Sequence, residues 1–135
     1  MNHLWKGSAG KIALALLLWI AAIVVVITGE LIPGDSAPMR LLDSTHISDK
    51  VMHFTAYLVL AFIPVVGFRL SRGLACAVFM IFLGVGLEFI QRMVGRDLEI
   101  GDMVANSAGV LIGIALALLA RRLRQGRSPV SASGD

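Results

Sequence analysis

Nine side chains in this 135-residue sequence have both the types and the spacing to do chemistry together: Asp49, Lys50, His53, Tyr57, Glu88, Gln91, Arg96, Asp102 and Asn106. Asp49, His53 and Tyr57 recur at steps of four, so on a helix they stack along one face. Glu88 precedes Gln91 by three residues and Asp102 precedes Asn106 by four, which makes two further one-faced pairs. An imidazole among carboxylates can hold or move a proton near neutral pH, so His53 and Glu88 are the candidates for a general base. Lys50 and Arg96 are cationic donors suited to a phosphate or a developing negative charge. A single intramembrane histidine, His53, without a second histidine or a cysteine beside it makes a poor transition-metal site, so neither a metal nor another cofactor is expected. There is no P-loop, no H-E-x-x-H and no G-x-S-x-G, so whether any reaction is catalysed stays open.

The elements that must position these residues are apolar. The chain is 57% hydrophobic and 16% charged, the composition of a membrane protein. Its formal charge of +3 is carried in short clusters between apolar runs rather than along one polar face, which argues against nucleic acid as a partner. The one cysteine, Cys76, lies inside an apolar run, so a disulfide framework cannot form within the chain. Four runs stand out: Ile12 to Gly29, Val51 to Phe68, Gly73 to about Ile90, and Met103 to Ala120. At ~1.5 Å per residue, runs of this length reach roughly 27 Å, close to a hydrocarbon core of ~30 Å. Lipid offers no partner to free N–H and C=O groups, so each run must be helical. The expected fold is all-α: a polytopic bundle of four transmembrane helices within residues 1–122, followed by a disordered basic tail over 123–135. The first run is long and no small-residue cleavage site follows it, so it reads as an uncleaved helix.

Lys6, Lys11, Arg69, Arg72, Arg121, Arg122, Arg124 and Arg127 fall on one side of the four spans, against Arg40, Lys50, Arg92 and Arg96 on the other. Positive charge in short loops resists translocation, so both termini are expected in the cytoplasm. The first outer loop, Glu30 to Ser48, carries Pro33, Gly34, Pro38 and several acids and reads as turns. On this topology Ser48 caps the second span. His53 and Asn106 each lie about 6 Å below an outer helix start. Glu88 sits shortly before the third span emerges. The nine residues therefore converge in one outward-facing polar pocket built by the second, third and fourth spans, with the first span packing outside it.

The run Asp49-Lys50-Val51-Met52-His53-Phe54-Thr55-Ala56-Tyr57, then Glu88-x-x-Gln91, Gly95-Arg96 and Asp102-x-x-x-Asn106-x-x-Gly109, resembles the signature of VanZ-like membrane proteins. The resemblance covers the second to fourth spans, and the four-helix layout agrees with it. The chain departs from it in carrying Val94 where family members often have proline before the Gly-Arg pair. What the resemblance implies is a setting, the bacterial cell envelope and its inner membrane, in a family named for an accessory protein of glycopeptide (teicoplanin) resistance.

Three functional classes follow. The pocket binds an envelope-lipid headgroup or a glycopeptide; or the chain is a membrane enzyme acting on such a headgroup; or the polar set only locks helices together. Arg96 reads either as a phosphate clamp or as a snorkelling anchor. Gly109-x-x-x-Gly113, with Ala105 and Ala117, is a small-residue stripe for close helix approach, within the bundle or in a helix-mediated oligomer. Pro64 frees the Leu60 carbonyl inside the second span. Trp19 reads as filling the bundle or facing lipid, and Trp5 and the arginines after Ala120 as inner-interface anchors.

Overall fold

The computed structural model describes residues 3–33, 35–44, 47–93 and 97–126. Helices account for nearly all of them: α1 (His3–Leu31), α2 (Ala37–Asp43), α3 (Asp49–Gly67), α4 (Leu70–Met93) and α5 (Ile100–Gln125). Four helices are long and apolar enough to cross a membrane, over Ala9–Leu31, Asp49–Gly67, Leu70–Met93 and Ile100–Gln125. The chain is thus a multi-pass helical membrane protein, and its many outward-facing Leu, Ile, Val and Phe side chains fit contact with lipid.

α1, α4 and α5 run past both ends of their apolar runs, and α3 starts two residues before its own and stops one residue short, at Gly67. Three expectations change as a result. Glu30 is the penultimate residue of α1, not the start of a loop. The segment expected as turns contains the two-turn helix α2. Leu123, Arg124 and Gln125, assigned to a disordered tail, are the last residues of α5, Gly126 follows as its C-cap, and residues 127–135 lie outside the described residues.

α3 is the centre of the bundle. It packs most closely on α5, then on α4, while α1 lies against α3 and more lightly against α4. The core comprises Tyr57, Leu60, Ala61 and Val65 of α3, Ala77 and Met80 of α4, and Val110 and Ala117 of α5. The small-residue stripe explains the α3–α5 contact, since a Cβ at Gly109 would collide with the Phe54 carbonyl and one at Gly113 with the Leu58 carbonyl. The two backbones touch.

Pro64 leaves the Leu60 carbonyl without its helical donor, and α1 supplies one: Trp19 Nε1 donates to Leu60 O at 2.8 Å. Trp19 therefore fills the bundle, as one of its readings had it, and is in addition an interhelical donor, with its ring edge-on to Phe68 at 6.1 Å. Further toward the C-terminus of α3, Arg121 Nη1 of α5 donates to the carbonyls of Val65 at 2.8 Å and Phe68 at 3.0 Å. It closes the α3 C-terminus, where the dipole favours a cation, instead of simply anchoring an interface. Trp19→Phe keeps the ring and removes the donor. It is expected to lower stability by about 0.6–2 kcal/mol in detergent unfolding titrations, without loss of membrane insertion.

Candidate functional site

The end of α1 and the starts of α3 and α5 meet at one end of the bundle, and the polar residues of the sequence lie there. Ser48 precedes α3, but its hydroxyl makes no capping bond; its carbonyl accepts from the N–H groups of Val51 at 2.9 Å and Met52 at 3.2 Å. One turn below, His53 Nδ1 lies 3.0 Å from Asn106 Oδ1 on α5. Asn106 presents its carbonyl there, so Nδ1–H is the donor of this pair. Nε2 faces Asp49 Oδ1 at 3.7 Å and Asp102 Oδ2 at 3.9 Å. Lys50 is at the rim, donating to Glu99 Oε2 at 2.6 Å with Asp102 Oδ1 at 3.6 Å.

Glu30 belongs to this cluster. Its Oε1 lies 3.5 Å from His53 Nδ1 and its Oε2 accepts from the Tyr57 hydroxyl at 3.4 Å. α1 is therefore part of the site, contrary to the expectation that it packs outside. A signal was available: Trp19, Ile23 and Val26 pack on the core at heptad-like spacing, and Glu30 continues that stripe by one turn.

α4 closes the remaining side. Glu88 and Gln91 are buried together on one face of this helix. Gly84, one turn before Glu88, makes room for the site, because a Cβ there would sit 2.9 Å from the Tyr57 ring and 3.1 Å from Asn106 Nδ2.

The structure thus brings Asp49, Lys50, His53, Tyr57, Asp102 and Asn106 into one connected set, with Glu88 and Gln91 on its α4 wall. Arg96 lies outside the described residues. The expected open pocket is instead a closed polar core: His53 is 6% exposed, Asp102 4%, and Glu88, Gln91 and Asn106 1% each. Asp49, Lys50 and Glu99 form a rim whose side chains are 43–53% exposed. Among the described residues, the buried Asp102 Oδ1, Gln91 Nε2 and Asn106 Nδ2 have no hydrogen-bond partner. A lone histidine gave no reason to expect a metal, but Asp49, His53 and Asp102 each offer a ligand atom within 4.8 Å of the others.

Fold and site together define a four-span α-helical membrane protein with a buried polar centre at one end. A scan against protein-family models finds no match, and searches of the curated proteins and of the solved structures return no significant one.

Proposed function

We propose that the chain is a VanZ-like integral membrane protein of the bacterial inner membrane, with both termini cytoplasmic. Its polar centre, at the outer face, binds the headgroup of an envelope lipid or a glycopeptide. One observation carries the binding reading above a helix lock: buried hydrogen-bonding atoms of Asp102, Gln91 and Asn106 that no described residue satisfies. A lock gains stability by pairing its own groups, and unpaired ones in an apolar surrounding cost more than the paired ones contribute.

The centre is rich in acceptors. Glu30, Asp49, Glu88 and Asp102 supply carboxylates, and Lys50 is engaged by Glu99 at 2.6 Å. Such a lining favours ammonium, amide and hydroxyl groups, as in peptide- or sugar-bearing headgroups, over a bare phosphate. The enzyme reading has less support, since His53 and Glu88 are held without an established catalytic pattern around them.

The test is ligand-dependent stability. Purified protein in detergent, unfolded thermally against a panel of envelope lipids, should be stabilised by one headgroup class; a ligand at 100 times its Kd adds ~2.7 kcal/mol. Equal stabilisation by all lipids contradicts headgroup recognition. His53→Gln should retain binding; loss of turnover of ~10²- to 10⁴-fold in that variant, with binding kept, would move the assignment to the enzyme.

Orientation is tested separately. A reporter active only in the cytoplasm should be active when fused after Asp135 and silent when fused at Asp43. The reverse pattern would put the polar centre on the inner face and remove the envelope reading.

A further inference from the structure

We propose that Asp49, His53 and Asp102 form a binding site for a single divalent cation of the Mn²⁺ or Zn²⁺ class. The site lies between the first turns of α3 and α5, and it does not depend on headgroup binding.

The geometry supplies the argument. Nε2 of His53 is 3.7 Å from Asp49 Oδ1 and 3.9 Å from Asp102 Oδ2, both too long for hydrogen bonds. With metal–ligand bonds of ~2.1 Å, tetrahedral ligands stand about 3.4 Å apart, so the two imidazole–carboxylate distances need to close by only a few tenths of an ångström, while the two carboxylate oxygens, which lie within 4.8 Å of each other, draw together by rotation of the half-exposed Asp49 side chain.

The surroundings fit as well. His53 turns Nε2 toward the two aspartates because Nδ1–H is directed to Asn106 Oδ1 at 3.0 Å, with Glu30 Oε1 at 3.5 Å on the same side. An outer carbonyl or carboxylate on the far nitrogen is the usual means of orienting a metal-binding imidazole. The second observation is Asp102 itself: it is 4% exposed, it points at Nε2, and its Oδ1 has no hydrogen bond among the described residues. Lys50 Nζ stands 3.6 Å from that Oδ1, but its direct bond is to Glu99, and it is Oδ2 that faces His53 Nε2.

Two carboxylates and a neutral imidazole balance a charge of two. One nitrogen with two oxygens suits Mn²⁺ or Zn²⁺ better than Ca²⁺, which takes oxygen ligands throughout. Asp49, with a side chain 43% exposed, gives the ion a way in and leaves coordination positions toward the rim.

The experiment uses the full chain, purified in detergent, stripped with chelator and titrated with Mn²⁺ alone, with Zn²⁺ as competitor. Electron paramagnetic resonance should show one bound Mn²⁺ per chain, displaced by Zn²⁺, with a nitrogen-14 coupling from His53. His53→Gln should abolish the coupling, and Asp49→Asn should weaken binding by roughly 10- to 100-fold or more. Should Asp102→Asn fail to accumulate, Asp49→Asn still decides, because its half-exposed side chain contributes little to packing. Absence of stoichiometric Mn²⁺ or Zn²⁺ in the wild type overturns the site. So does binding unaltered in Asp49→Asn, which would mark the ion as lodged elsewhere. Because no lipid is added, a negative result leaves headgroup binding standing, and a failure to bind lipid leaves the metal site standing.

Discussion

Gly109→Leu is expected to leave almost no folded protein in the membrane. At this position α5 meets the α3 backbone directly, and even a methyl group would fall on the Phe54 carbonyl. Overpacking costs typically reach about 3 kcal/mol, and a rigid carbonyl cannot yield as a flexible side chain does. Gly109→Ala and Gly113→Ala should each lose about 1–3 kcal/mol. Gly86 is the control, since a Cβ there meets nothing within 4 Å. Gly86→Ala should be neutral or stabilise by up to ~1 kcal/mol through helix propensity alone. Unfolding in detergent, alongside accumulation in membranes, measures all four. Equal behaviour at positions 86 and 109 would contradict the α3–α5 crossing, and with it the position of His53 opposite Asn106.

The second large effect concerns function. Glu30→Gln, Glu88→Gln and Asp102→Asn each keep size and shape while removing a buried carboxylate from a different helix: α1, α4 and α5. Each is expected to abolish whatever phenotype deletion of the protein produces, with membrane accumulation within about twofold of wild type, since isosteric polar changes preserve packing. Loss of accumulation in all three would favour a helix lock. Normal function in all three would remove the site. Glu30 is the most informative, because only the three-dimensional arrangement places it beside His53 and Tyr57.

The span count was legible because lipid enforces it: an apolar run of about 18 residues has one backbone solution. The stacking of Asp49, His53 and Tyr57 was legible too, as a period of four translates directly into one helix face. Glu30 was legible only as the next step of the Trp19, Ile23 and Val26 stripe. A glycine followed by a carboxylate otherwise reads as the end of a span, and which helix that stripe meets is set by α3 lying alongside rather than by α1 itself. The same holds for Trp19, whose indole answers a carbonyl 41 positions away that Pro64 leaves free. Closure of the site was equally hidden. Spacing shows which side chains share a face, whereas the near-zero exposure of Asn106 and Glu88 arises from Gly84 and Gly109 letting three helices close around them.

The central claim, that this buried polar centre holds a ligand, is tested most directly by mass spectrometry of lipid retained through purification. Wild-type protein, extracted mildly and washed free of bulk lipid, should carry a specific envelope lipid at near-stoichiometric level. Asp102→Asn and Glu88→Gln, purified in parallel, should lack it while keeping the same belt lipids. An identical lipid profile in the wild type and both variants would contradict the account.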